Sequence, residues 1–283
     1  MKENELKGKV AVVTGSSRGI GRGIAVGLGE KGATVYVTGR SKGGGPLTID
    51  ETAKMVNEAG GVGVPVSVDL GDDEQIVRLY QQIENDHGRL DIHVNNAFKI
   101  PNPPVWGGKF WEHPIQVWDD QVGIGLRAAY VASVYATKLM MRGTDSLKFI
   151  VNISSSGSER YALSASYGIA KMGTDRLTRD FAVEGKEDGL CVIGLWPSQV
   201  LTEFIIESIE KGDIELDEEN SETPLYTGRV IARLATDEQR FERNGQVLTT
   251  AELAVHYDIK DERGKQPKGC LLYTSDAADE YSG

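Results

Sequence analysis

Six short runs rich in β-branched and other apolar residues recur along the chain: Val10–Val13, Thr34–Val37, Val62–Val68, Leu90–Val94, Phe149–Ile153 and Cys191–Trp196. In most of them consecutive positions are apolar, the pattern of strands covered on both faces. Between them, helical patterns predict helices near 19–31, 49–59, 72–87, 116–142, 164–187 and 224–237. Strand–helix alternation of this length predicts a doubly wound α/β architecture, a parallel sheet with helices on both faces. No Pro/Gly/Ser-rich linker and no internal repeat divides the pattern, so residues 1–269 are expected to form a single domain.

Two segments interrupt the alternation. Residues 97–115 hold Pro101, Pro103, Pro104, Gly107, Gly108 and Pro114 together with Trp106, Phe110 and Trp111. Residues 198–223 carry a short apolar helix candidate and then the acidic run Asp213–Glu222, which reads as a solvated loop. Long loops inside a compact domain usually serve as lids or binding loops. Both follow strand ends, so they are expected to close together over an apolar substrate. The stretch Ala128–Met141 is apolar most of the way round, which suits either core or a subunit interface and raises the expectation of a homo-oligomer.

Composition narrows the function classes. Lys and Arg number 31 against 42 Asp and Glu, a formal charge of −11, so the basic face of a nucleic-acid binder is not expected. No run is long and apolar enough to span a membrane, and the first residues lack a signal-peptide pattern. Two cysteines are too few for a disulfide framework and point to a reducing, cytoplasmic setting. Residues 270–283 are set aside, because Cys270–Glu280 back-translates to a transposase adapter of sequencing libraries. The natural C-terminus is then expected to be missing, Cys191 is the one cysteine left, and the remainder is still acidic.

The first run leads directly into Thr14-Gly15-Ser16-Ser17-Arg18-Gly19-Ile20-Gly21. At this place Gly15 allows a tight turn, Gly19 lets a pyrophosphate approach the backbone, and Gly21 lets helix and strand pack closely. The helix start adds free N–H groups and partial positive charge for phosphates. No Gly-Lys-Ser/Thr follows, so this is not the phosphate loop of nucleoside triphosphatases. The second run ends Val37-Thr38-Gly39-Arg40 with no acid between Val35 and Ile49. A carboxylate there would favour the ribose hydroxyl of NAD(H). Its absence, with Arg40 and Arg18 as donors for a 2′-phosphate, predicts a preference for NADP(H), NAD(H) being the alternative.

Tyr167-Gly168-Ile169-Ala170-Lys171 falls within a helical pattern, and residues four apart share a face. A phenol titrates near 10, and a neighbouring ammonium is expected to lower it into a range useful for acid–base work. Ser155 stands just past the fifth run, at the carboxyl edge of the sheet, flanked by Ser154 and Ser156 so that the register is open by one. His87, His93, His113 and His256 show no metal-ligand spacing, and Cys191 begins a buried strand and reads as core.

Thr14–Gly21, Asn95-Asn96-Ala97, Ser155, Tyr167-x-x-x-Lys171 and Pro197-Ser198-x-x-x-Thr202 together resemble the short-chain dehydrogenase/reductase family, over nearly all of residues 7–269. Phe110-Trp111-Glu112, Trp118-Asp119-Asp120, Gly125-Leu126-Arg127 and Leu195-Trp196-Pro197 resemble one branch of it. The resemblance implies a Rossmann-type sheet, a nicotinamide cofactor, and hydride transfer between that cofactor and a carbonyl or alcohol. It implies Tyr167 as acid/base, Lys171 on the cofactor ribose, and Ser155 orienting the substrate oxygen. For the cofactor it implies Gly15, Ser17, Arg18, Gly19, Ile20 and Gly21 at the phosphates and Arg40, Asp69 and Leu70 near the adenosine. Asn95 and Thr202 complete that set, Thr202 at the carboxamide.

The sequence departs from the family pattern at three points. Phe98 follows Asn95-Asn96-Ala97 where glycine is usual, Ser198 follows Pro197 where glycine is usual, and Gly125 stands where the family carries an asparagine that holds a proton-relay water. The branch shares that glycine. The expected function is NADPH-dependent reduction of an apolar carbonyl compound, or the reverse oxidation. The alternative is a catalytically impaired dinucleotide-binding regulatory protein, and a sugar epimerase would need a larger C-terminal domain than this length leaves.

Overall fold

The computed structural model describes residues 4–143 and 145–267, so the 270–283 tail lies outside the described residues. Seven strands form one parallel sheet in the order β3-β2-β1-β4-β5-β6-β7. They are β1 (Val10–Val13), β2 (Thr34–Gly39), β3 (Val62–Ser67), β4 (Ile92–Asn95), β5 (Phe149–Ile153), β6 (Cys191–Trp196) and β7 (Val247–Thr249). The chain winds outward through β1, β2 and β3, then returns to place β4 beside β1. The helices on either side of that reversal lie on opposite faces, which opens a crevice at the carboxyl ends of β1 and β4.

Two-sided burial explains the uninterrupted apolar runs. Within β1, Ala11 and Val13 pack into the cluster that holds Ile24 and Leu28 of α1 (Gly19–Gly29) and Val230 and Ile231 of α8 (Pro224–Ala235). Val10 and Val12 pack on the other face with Ile76 and Leu79 of α3 (Asp73–His87) and Ala132 and Ala136 of α5 (Ala128–Met140). Helices α1 and α8 meet backbone to backbone, and a Cβ on Gly23 would overlap the Pro224 carbonyl. Side-chain caps fix five helix starts: Thr48 for α2 (Ile49–Glu58), Asp72 for α3, Ser164 for α6 (Ala165–Glu184), Thr202 for α7 (Glu203–Glu210) and Thr223 for α8.

Two features differ from the sequence pattern. Strand β7 and α9 (Thr250–Tyr257) were not expected; three residues are too few for a periodicity to register. The stretch 116–142 is not one regular helix. A turn of α4 (Gln116–Trp118) leads into a π-helical segment, Asp119–Arg127, before α5 begins. Polar residues are drawn inward there. Gln121 Oε1 accepts from the Ser164 and Ser166 hydroxyls at 2.8 and 2.6 Å, and the Lys99 ammonium lies 2.6 Å from Asp120. Gly123 and Gly125 weaken the local α preference, and π bulges recur beside functional sites.

The segment after β6 leaves the sheet and returns to it through a narrow neck. Val200 pairs with Glu222, Leu201 N–H donates to the Glu222 carbonyl at 2.9 Å, and Glu222 N–H donates to Gln199 O at 2.7 Å.

Candidate active site

The crevice holds a groove of about 650 Å³. Gly15, Ser17, Arg18, Gly19, Ile20, Gly21, Arg40, Asp69, Leu70 and Thr202 all line it, as the sequence suggests. Gly15 adopts φ +63°, and a Cβ there would come within 2.8 Å of Ala97 Cα, so the tight turn requires glycine. Gly21 has no room beside the Asn96 amide, which donates to Thr14 O at 2.9 Å and Gly15 O at 3.0 Å. Asn96 is thus a support of the glycine loop that sequence reasoning passed over.

At one end of the groove Arg18 donates to Ser41 Oγ at 3.3 Å, and Arg40 lies 3.8 Å from the Asp69 carboxylate. At the cradle itself, Gly19 N–H donates to Glu203 Oε2 at 2.8 Å, and Glu203 Oε1 accepts from Arg22 at 3.2 Å. An acidic oxygen therefore already stands on the helix-start amide, which fits a donor set suited to phosphate oxygens. Glu203 carried no signal in the sequence beyond an acid in the first turn of a helix.

The candidate reacting groups converge beside this groove. Ser155 Oγ and Tyr167 Oη share a hydrogen bond of 2.8 Å, whereas Ser154 Oγ donates to Lys171 O, so the register rests on Ser155. Gly157 makes room for the phenol ring, since a Cβ there would sit 2.5 Å from Tyr167 Cε1. Lys171 Nζ donates to Ile153 O at 3.2 Å and lies 5.7 Å from the centre of the Tyr167 ring. The Phe98 ring connects trio and groove: it lines the groove and stands edge-on to Tyr167 with centroids 5.5 Å apart.

The electrostatics correct one expectation. Burial holds the Tyr167 phenol above its ordinary value, and the Ser155 hydrogen bond offsets part of that rise. The lysine does not bring it below. Burial pushes Lys171 itself down to about 8, with Asp175 opposing. Desolvation therefore dominates at both groups.

Asn95 is also corrected. Its side chain does not line the groove but fills a buried line of polar groups through the sheet. Its Oδ1 meets His93 Nε2 at 2.8 Å, and its Nδ2 donates to Ser133 Oγ at 2.7 Å and Asn152 Oδ1 at 2.8 Å. Asn152 continues the line to Thr178 Oγ1 at 2.9 Å. Both amide hydrogens of Asn95 and one lone pair of its oxygen are committed to this interior line. Burial pushes the His93 imidazole down to about 4, so it stays neutral at physiological pH.

The two interrupting segments do meet. Trp106 stacks on Phe204 of α7 with centroids 5.7 Å apart. Phe110 and Trp111 instead pack on each other at 5.1 Å and stay exposed outside the groove, whose aromatic walls are Phe98 and Phe204. The acidic run is not wholly solvated. Glu222 is fully buried, accepting from Ser198 N–H at 2.9 Å and Thr227 Oγ1 at 3.1 Å, and burial pushes it up to about 7.

Comparison with known proteins agrees with this geometry. Residues 9–212 match the family model of the short chain dehydrogenases. The chain is 38% identical over 277 residues to dehydrogenase/reductase SDR family member 1 of Mus musculus, covering 93% of this chain and 86% of that protein. A gluconate 5-dehydrogenase structure from Beutenbergia cavernae, described as putative and NAD(P)-dependent and holding NADP, superposes with a TM-score of 0.73 at 28% identity, over 87% of this chain and 96% of that one. A 3-oxoacyl-[acyl-carrier protein] reductase from Brucella melitensis in complex with NAD shares the fold, with a TM-score of 0.74 at 23% identity over 86% and 95% of the two chains. The chain belongs to the short-chain dehydrogenase/reductase family and is an oxidoreductase of that family.

Proposed function

We propose that the protein is an NADP(H)-preferring reductase of apolar carbonyl compounds, able to oxidise the corresponding alcohols. The observation that carries the reading is the Ser155–Tyr167 hydrogen bond beside Lys171, reached through the Phe98 ring from a groove that Arg18 and Arg40 also line. A nicotinamide bound in the groove would supply the hydride equivalent. Tyr167 gives its proton to the substrate oxygen, which Ser155 holds by a hydrogen bond. The phenolate left behind is stabilised by the Lys171 ammonium, so the lysine acts on the charged form. Phe98 and Phe204, the latter backed by Trp106, give the groove an apolar, aromatic wall suited to such a substrate. The exposed apolar residues Tyr130 on α5 and Ile169, Met172 and Val183 on α6 support self-association through these two helices.

Cofactor choice rests on Arg40 and Arg18, with no carboxylate in β2 to repel a 2′-phosphate. One charge-assisted bond contributes about 1.5–3 kcal/mol, and the exposure of Arg40 places it at the lower end, about a tenfold preference. The test is consumption of NADPH and NADH across a panel of aldehydes, ketones and steroids, with wild type and Arg40→Ala. The expected wild type is faster with NADPH at subsaturating cofactor, and Arg40→Ala brings the two rates together. Equal use of both cofactors by wild type overturns the preference, and no turnover on any carbonyl overturns the reductase reading.

A further inference from the structure

Phe98 touches each part of the proton-handling pair. Its ring stands at 87° to that of Tyr167, and Lys171 Nζ lies 5.1 Å from its centre, nearer than the 5.7 Å to the Tyr167 ring. The other side of the ring rests on Gly125 of the π-helical segment. A Cβ on Gly125 would come within 2.9 Å of Phe98 Cδ2 and 3.2 Å of Cε2. The ring therefore fits between α6 and the π-helical segment only because position 125 has no side chain. An ammonium carries three donors, and Lys171 directs one to Ile153 O; an aromatic face attracts the cation without accepting a proton from it. Asp175, one turn along α6 and itself bonded to Trp196 Nε1 at 3.2 Å, is the carboxylate that acts on the same ammonium.

We propose that Phe98, seated on Gly125, is a positioning residue that holds Tyr167 and Lys171 in working register, its ring face attracting the ammonium. The proposal rests on the reading of Tyr167 and Lys171 given above. It makes the two departures at positions 98 and 125 one feature rather than two. It also separates the ring's electrostatic role from its bulk, because leucine fills much of the same space without an aromatic face.

The experiment compares Phe98→Leu, Phe98→Tyr, Gly125→Ala and Phe98→Leu/Gly125→Ala, each in the otherwise unchanged chain, by steady-state kinetics and thermal melting. Loss of a desolvated cation–π contact is expected to lower kcat for Phe98→Leu about tenfold, with a smaller change in KM. The alkaline limb of its pH–rate profile should move to lower pH, since Lys171 stays partly buried and loses its aromatic partner. Phe98→Tyr should restore both kcat and the limb. Gly125→Ala should reproduce the loss by displacing the ring, and it should add less than a twofold further loss in the leucine background. A Phe98→Leu enzyme with wild-type kcat and pH profile overturns the proposal, as does full additivity of the two substitutions. Tyr167→Phe serves as the control. If that variant keeps turnover, the underlying acid–base reading fails; if it is inactive while Phe98→Leu is normal, only the role of Phe98 fails.

Discussion

Replacing Glu203 by glutamine removes a negative charge from the amide that phosphates would use. Its carboxylate accepts from Gly19 N–H at 2.8 Å and from Arg22 at 3.2 Å, and Arg18 at the N-cap makes no capping bond with its side chain. A phosphate settling on the cradle must displace that carboxylate. The bond to Gly19 is charge-assisted, worth about 1.5–3 kcal/mol. The ion pair with Arg22 is partly exposed and adds up to about 1 kcal/mol. Glutamine keeps an acceptor of the same shape but halves the first contribution and removes the second. Net relief is about 1–2 kcal/mol, or about 5- to 30-fold tighter dinucleotide binding. The assay is a fluorescence titration of NADPH into wild type and Glu203→Gln at fixed ionic strength. Because the repulsion is electrostatic, the gap should narrow as salt rises. An unchanged or weaker affinity for Glu203→Gln would refute the argument, placing Glu203 among groups that aid the ligand rather than compete with it.

Three further outcomes follow from the geometry. Tyr167→Phe keeps the ring against Phe98 but loses the proton shared with Ser155, so turnover should fall roughly 100- to 10,000-fold while NADPH affinity stays nearly constant; wild-type turnover would remove Tyr167 from its role. Trp106→Ala breaks the stack on Phe204 and should raise KM for bulky carbonyl compounds more than for small ones, equal effects marking Trp106 as structural. Glu222 binds its proton up to about pH 7 when folded but releases it near 4.5 when unfolded, so stability from this group is full below pH 4.5 and declines as pH rises through 7, by on the order of 3 kcal/mol. Glu222→Gln should therefore melt higher than wild type at pH 8 and close to it at pH 5, and a lower melting point at pH 8 would contradict the sign.

The strands were legible because burial on both faces leaves runs such as Phe149–Ile153 with hardly a polar interruption. The trio was legible because a helix makes spacing into geometry, and Tyr167 and Lys171 lie one turn apart whatever else surrounds them. What stayed hidden depends on contacts between distant segments. The π-helical stretch is one extra residue per turn, too small a change for a hydrophobic period to register. Phe98 and Gly125 could be noticed separately as unusual, yet only packing shows that one leaves room for the other. Glu203 and Glu222 looked like ordinary acids of a helix start and a polar loop. Asn95 misled in the opposite direction, since a strand-end amide can serve the interior as readily as a ligand.

The neck formed by Val200 and Glu222 makes the chain between them an exchangeable part. Its two ends are joined to each other by backbone hydrogen bonds before either reaches α7 or the polar stretch beyond it. For a loop closed at its own base, the cost of added length grows only with the logarithm of that length. The sheet and α8 therefore experience the same boundary whatever lies between. Segments of other sizes and sequences can be grafted beyond Phe204, where the contacts of Glu203 and Phe204 with Gly19, Arg22 and Trp106 are kept, without altering how the neck joins β6 to α8.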